Sequence, residues 1–192
     1  MKKIGLTGMI GSGKSFVGNY LTSKNFFVLD TDREVHQLYK DSVPLRSRIA
    51  EIFGSEALSE TGISRTFLIP IVFNDKEARK KLETLVYPSL EEKILNFFEE
   101  HRKKTVFVEA ALFFKIPKIL DMLDEIWLIE CEESLRQRRL QNRGLSEEDA
   151  KNRIQVQKQF PELHHKNIIR IQNDSSVQEL EAKIEVLLRN ME

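Results

Sequence analysis

Lys3-Ile4-Gly5-Leu6-Thr7-Gly8-Met9-Ile10-Gly11-Ser12-Gly13-Lys14-Ser15 joins a short apolar run to a glycine-rich turn and a lysine-serine pair. Gly8-x-x-x-x-Gly13-Lys14-Ser15 fills every fixed position of a phosphate-binding loop. The surroundings fit as well, with a strand-like run before the loop and an amphipathic helical pattern, Ser15 to Lys24, after it. Glycines let successive backbone N–H groups curl around phosphate oxygens without a Cβ in the way. The N-terminus of the following helix adds roughly half a unit of positive charge. Lys14 can then reach the β- and γ-phosphates, and the Ser15 hydroxyl can ligate Mg²⁺. The stretch Gly8, Met9, Ile10, Gly11, Ser12, Gly13, Lys14, Ser15 and Phe16 is therefore the expected ATP site. It says nothing about the acceptor.

Working outward, short apolar runs alternate with longer helical patterns. Lys3 to Thr7, Phe26 to Asp30, Thr105 to Glu109, Glu125 to Glu130 and Asn167 to Gln172 are each short, nearly continuous in apolar character and rich in β-branched or aromatic residues. That pattern marks strands buried on both faces of a parallel sheet. Ser176 to Asn190 carries Val177, Leu180, Ile184 and Leu187 at helical spacing. The expectation is an α/β, three-layer fold of the P-loop NTPase type, with ligands at the carboxyl ends of a five-stranded parallel sheet. Residues 1–192 form one domain in this reading. Two connections exceed a simple crossover. Residues 33–103 read as wholly helical and as a substrate-holding subdomain, and residues 131–160 read as an arginine-rich lid.

Composition narrows the class. The 192 residues contain 30 basic and 30 acidic side chains, for a formal net charge of zero. A general binder of nucleic acid or anionic membrane would show a basic excess. Cys131 is the one cysteine, so neither an internal disulfide nor a cysteine-based zinc site can form. No apolar run approaches the ~20 residues of a membrane span. The N-terminal stretch turns glycine-rich too early for a signal peptide. The reading is a cytoplasmic protein with a small-molecule substrate; the oligomeric state stays open.

Further acids and cations surround the loop in this reading. Asp30-Thr31-Asp32 closes the second strand and serves either as a helix N-cap or as a general base facing the transferred phosphate. Glu109, at the end of Val106-Phe107-Val108, either holds a water on Mg²⁺ or makes a structural hydrogen bond to a neighbouring loop. In the lid, Arg139 and Arg143 lie four apart on one helical face and suit a phosphoryl clamp. Arg136 and Arg138 read instead as a solvated face paired with nearby glutamates. Ser146 with Asp149 marks a helix start. His36, His101, His164 and His165 lack metal-ligand spacing. Phe113 and Phe114 read mainly as core, with a substrate-pocket wall as the alternative.

Taken together these residues resemble the dephospho-coenzyme A kinases. Gly5 through Ser15 looks like that family's N-terminal signature, and Asp30-Thr31-Asp32 like its Asp-x-Asp. Gly62-Ile63-Ser64-Arg65 is similar to its Gly-x-Leu-Asp-Arg. Arg139-Leu140-x-x-Arg143 and Ala150-x-x-Arg153-Ile154-x-x-Gln157 follow its lid pattern. Ile171-Gln172-Asn173 matches its Ile-x-Asn. The resemblance implies transfer of the γ-phosphate of ATP to the ribose 3′-hydroxyl of dephospho-coenzyme A, with a sheet of order 2-3-1-4-5. It implies Asp32 as catalytic base, Lys14, Arg139 and Arg143 as catalytic cations, and Asn173 in the adenine loop. Arg65, Tyr87, Asp32 and Glu109 would serve the acceptor. Tyr87 stands where the family usually has histidine, Ala111-Leu112-Phe113-Phe114-Lys115 where Pro-Leu-Leu-Phe-Glu is common, and Phe16 where threonine is frequent. Leu68-Ile69-Pro70 lacks an arginine often found there. The rival reading is a P-loop kinase for another small hydroxyl or phosphate acceptor. A GTP switch is disfavoured, because no Asn-Lys-x-Asp motif and no Asp-x-x-Gly after the third strand occur.

Overall fold

The segment that ends at Gly8 is buried from Ile4 onward: Ile4 and Leu6 have no exposed surface. It forms β1 (Lys3–Gly8) in the computed structural model of the protein, which describes residues 1–191. Then follow α1 (Lys14–Ser23), β2 (Phe27–Asp30), α2 (Thr31–Asp41), α3 (Val43–Phe53), β3 (Leu58–Ser59) and β4 (Gly62–Ile63). The chain continues through α4 (Arg65–Asn74), α5 (Lys76–Glu100), β5 (Val106–Glu109), α6 (Pro117–Met122) and β6 (Glu125–Glu130). It finishes with α7 (Glu133–Asn142), α8 (Glu147–Lys158), β7 (Ile168–Gln172) and α9 (Val177–Arg189).

Five strands form one sheet in the order β2-β5-β1-β6-β7. This is the expected order 2-3-1-4-5 once the short β3 and β4 are left out of the count. β1 pairs in parallel with β5 and with β6, and β6 in parallel with β7. The register sets Leu6 beside both Glu109 and Trp127 and Gly8 beside Ile129, so β5 ends two residues short of β1 and leaves Glu109 next to the start of the phosphate loop. One face of the sheet packs Ile4, Leu6, Phe107, Trp127 and Ile129 against Val17 and Leu21 of α1 and Leu180 and Ile184 of α9. Each such side chain contributes about 1.5–3 kcal/mol through burial. Trp127 stays satisfied inside by donating its indole N–H to Glu125 at 2.6 Å.

The chain divides into two compact units. The first contains Met1–Leu29 and the residues from Glu100 onward, and the second contains Asp30–Glu99. In the second, residues 33–103 do not form helices throughout, as the sequence suggested. Leu58–Ser59 and Gly62–Ile63 pair as an antiparallel hairpin. Two-residue strands are too short to show a period. Gly62 enables the turn, with φ of 134° and its Cα hydrogens packed on the Tyr39 carbonyl. Among the described residues no helix is long and apolar enough to cross a membrane.

Candidate active site

The phosphate loop leaves β1 at Gly8 and enters α1 through Gly13, which sits at φ 103°. A side chain is excluded there for two reasons. The backbone is left-handed, and a Cβ would collide with the Asn173 amide nitrogen. Ser12 N–H donates to the Met9 carbonyl at 3.0 Å and closes the turn. Phe16, on the first turn of α1, is partly exposed.

Lys14 and Ser15 converge on one atom. Lys14 Nζ donates to Glu109 Oε1 at 2.5 Å, and Ser15 Oγ donates to the same oxygen at 2.8 Å. Glu109 is only 3% exposed, at the end of β5. A carboxylate so deeply buried needs a cation and hydrogen bonds, and these two residues supply them. Its other oxygen packs on Gly18, where a Cβ would have no room. Ser15 Oγ and Glu109 are adjacent hard oxygen donors beside the phosphate cradle, which is the donor chemistry a small divalent cation takes.

The arginine-rich connection forms α7 and α8, with Ser146 capping α8 as the sequence indicated: its hydroxyl accepts from Asp149 N–H at 3.1 Å. Leu140, Ala150 and Ile154 make a small core of their own, against which Ile10 of the phosphate loop packs. Ile10 N–H also donates to Gln157 Oε1 at 2.6 Å. Helices α7 and α8 are thus tied to the loop by apolar packing and by a hydrogen bond.

Arg139 makes the tie stronger. Its Nη1 donates to the Gly11 and Ser12 carbonyls at 3.3 and 3.2 Å, and its Nη2 to the Asn173 carbonyl at 3.0 Å. Asn173 Nδ2 in turn donates to the Ser12 carbonyl at 2.6 Å. Phosphate loop, α7 and the loop after β7 therefore meet at Arg139 and Asn173. Arg143 is elsewhere: it caps the C-terminus of α7 and is exposed.

Arg136 departs from its sequence reading. It is not on a solvated face but 5% exposed, with Nη1 3.3 Å from Met9 Sδ and Nη2 3.8 Å from Glu133. Packing of α7 on the loop decides this: the Gly11 Cα sits so close to the Arg136 backbone that a Cβ would clash. Arg138 is exposed, as read. Phe113 is core, 1% exposed, and also lines a cavity beside the loop. Cys131 lies 3.2 Å from Arg139 Nη1. Burial pushes its thiol pKa up, and the Arg139 charge opposes that only in part.

In the second unit, the two roles weighed for Asp30-Thr31-Asp32 fall to different residues. Asp30 is the N-cap of α2, its Oδ1 accepting from Asp32 N–H at 2.9 Å and Arg33 N–H at 3.3 Å. Asp32 is left exposed on the first turn. Arg65 Nη1 is hydrogen-bonded to His36 Nε2. Tyr87 is half-buried; burial first, and then the charges of Glu83, Tyr39 and Asp32, hold its phenol well above the usual tyrosine range. Tyr39 is likewise raised by burial, with Arg65 opposing. Asp32, Arg65 and Tyr87 thus share one cluster with His36 and Tyr39. The latter two carry no motif signal. Only their positions one turn and two turns into α2, after Asp32, could have pointed to them.

A family model described as "Dephospho-CoA kinase" matches residues 2–179. A dephospho-CoA kinase of Dehalococcoides mccartyi is 33% identical over 195 residues, covering 98% of this chain and 97% of that protein. One from Shouchella clausii is 33% identical over 160 residues, with 81% of each covered. Among solved structures, a Thermus thermophilus protein superposes with a TM-score of 0.80 at 27% identity, covering 100% of this chain and 98% of that one. A dephospho-CoA kinase from Campylobacter jejuni superposes at 0.68 with 28% identity, covering 98% and 96%.

Proposed function

The chain belongs to the dephospho-CoA kinase family, and from that premise we propose that it transfers the γ-phosphate of ATP to the ribose 3′-hydroxyl of dephospho-CoA, giving CoA and ADP. The observation that carries the reading is the convergence of Lys14 Nζ and Ser15 Oγ on the buried Glu109 carboxylate at the mouth of the phosphate loop. A bare glycine turn would have no use for that arrangement.

In this account the loop amides and Lys14 hold the β- and γ-phosphates. Ser15, with Glu109 beside it, would hold Mg²⁺, and the ion would supply charge neutralisation at the phosphates. Asp32 takes the proton from the 3′-hydroxyl. The 3′-oxygen bonds to the γ-phosphorus as the bond from that phosphorus to the β,γ-bridging oxygen breaks, and ADP leaves with the electron pair. Arg139 fixes the loop and, with Asn173, the place of the adenine. Arg143, exposed at the end of α7, supplies further positive charge to the transferring group. Arg65 and Tyr87, in residues 30–99, serve the acceptor, and the α7–α8 segment acts as lid. The lone cysteine and the absence of a basic excess agree with a cytoplasmic enzyme acting on small molecules.

ADP release in the presence of ATP and Mg²⁺, measured with dephospho-CoA against a panel of other hydroxyl and phosphate acceptors, tests the assignment, with Lys14→Ala as control. Stimulation by another acceptor and none by dephospho-CoA refutes it.

A further inference from the structure

Two buried side-chain polar atoms have no hydrogen-bond partner among the described residues: Ser12 Oγ and Arg136 Nε. Both belong to residues lining the same cavity of about 410 Å³, within the first unit. This volume falls in the ~300–1,000 Å³ range of small-ligand sites. An orphaned buried donor costs about 1–3 kcal/mol, and more when it is charged. Two on one wall point to a ligand that accepts from both.

The electrostatics point the same way. Among the described residues the Arg136 side chain has a thioether sulfur as its one hydrogen-bond acceptor, and sulfur accepts weakly. Its nearest carboxylate, Glu133 at 3.8 Å, is already held by Lys158 at 2.6 Å. A buried guanidinium so poorly neutralised suits a phosphate oxygen. Apolar side chains, Phe113, Phe114, Leu128, Phe160 and Leu163, line it alongside charged ones such as Lys158 and Arg170. Gly8, Met9 and Ser12 of the phosphate loop line the cavity, whereas Lys14, Arg139 and Asn173 do not. The chain that also lines it, Ala111 to Phe114, follows closely on Glu109.

We propose that this cavity holds the phosphopantetheine end of dephospho-CoA, with the phosphate next to the arm accepting from Arg136 Nε–H and Ser12 Oγ–H and the arm lying along the aromatic side chains. This rests on the dephospho-CoA kinase reading. Arg136 is here a specificity-determining residue that contacts the acceptor away from the reacting hydroxyl. It therefore governs acceptor affinity rather than the affinity for ATP.

Three measurements on the full chain test it. Isothermal titration of the wild type compares 4′-phosphopantetheine with pantetheine, which differ only in the phosphate. The expected result is tenfold or more tighter binding of the phosphorylated form, displaced by dephospho-CoA but not by ATP. Arg136→Gln should erase that preference and raise KM for dephospho-CoA about 10- to 100-fold, the size of a charged hydrogen bond. KM for ATP should stay within about twofold. Arg136→Lys, which keeps the charge, should restore part of the loss. A wild type that binds both probes equally, or binds phosphopantetheine in competition with ATP, overturns the proposal without any variant. So does an Arg136→Gln protein with an unchanged KM for dephospho-CoA or an equal rise in both KM values; the first of these means that only water fills the cavity. A wild type that turns over dephospho-CoA yet fails these tests refutes this inference alone. One that does not phosphorylate dephospho-CoA refutes the functional reading and this one with it.

Discussion

Replacing Lys14 with methionine removes the cation paired with a carboxylate that is 3% exposed. Glu109 Oε1 would keep only the Ser15 hydroxyl. Breaking a buried pair by deleting one partner costs about 3–5 kcal/mol. Lys14 retains 11% of its side-chain exposure, so the low end applies. About 3 kcal/mol corresponds to a fall in melting temperature of roughly 6–12 °C for a chain of this size. Changing Glu109 to glutamine in the same background removes the stranded charge and keeps an oxygen for Ser15. Lys14→Met with Glu109→Gln should therefore recover about 1.5–2 kcal/mol of stability, and neither protein should transfer phosphate. Thermal and urea unfolding of the wild type, both single variants and the double variant give the coupling energy directly. Additivity within about 0.5 kcal/mol would refute the buried pair, and with it the claim that Glu109 positions Lys14 and Ser15.

Three further perturbations separate roles that lie close together in sequence. Asp30→Ala should cost about 1 kcal/mol of stability through loss of the α2 cap, whereas Asp32→Asn should leave unfolding unchanged and lower kcat ~10²–10⁴-fold; reversal of the two phenotypes sinks both assignments. Asn173→Ala removes a buried donor to the Ser12 carbonyl and a partner of Arg139, so KM for ATP should rise about tenfold, the equivalent of one net hydrogen bond; an unchanged KM shows that the loop after β7 does not hold the nucleotide site together. The Cys131 thiol is raised by burial, so less of it is thiolate at neutral pH than in an ordinary cysteine. Its reaction with a chromogenic disulfide should be slow at pH 7 and still climbing at pH 9, and a plateau below pH 8 contradicts the burial.

The sheet was readable because its strands are short, nearly continuous apolar runs, four of them ending at a glycine or a carboxylate and β7 at Gln172. Lys3 to Thr7 became Lys3–Gly8, and Thr105 to Glu109 became Val106–Glu109. The phosphate loop was readable because its residue types have one job at one spacing. The hairpin at residues 58–63 was not, since two-residue strands carry no periodicity. Arg136 was misread for a different reason. Its neighbours in sequence are charged, so α7 looks solvated along its length. Burial comes from Gly11 and Met9, more than a hundred residues away in sequence, and local patterning cannot reveal such a contact. The cap at Asp30 and the exposed Asp32 could not be told apart either, because both residue types favour a helix start. Their division of labour depends on which carboxylate turns back to the α2 amides.

The most direct test of the account is the position of the new phosphate. Dephospho-CoA incubated with the protein, ATP and Mg²⁺ should yield ADP and, in equal amount, a product identical to CoA by mass and chromatography, with a phosphorus resonance assigned to a 3′-phosphomonoester. ADP without phosphorylated acceptor, or a phosphate at any other position, would contradict it.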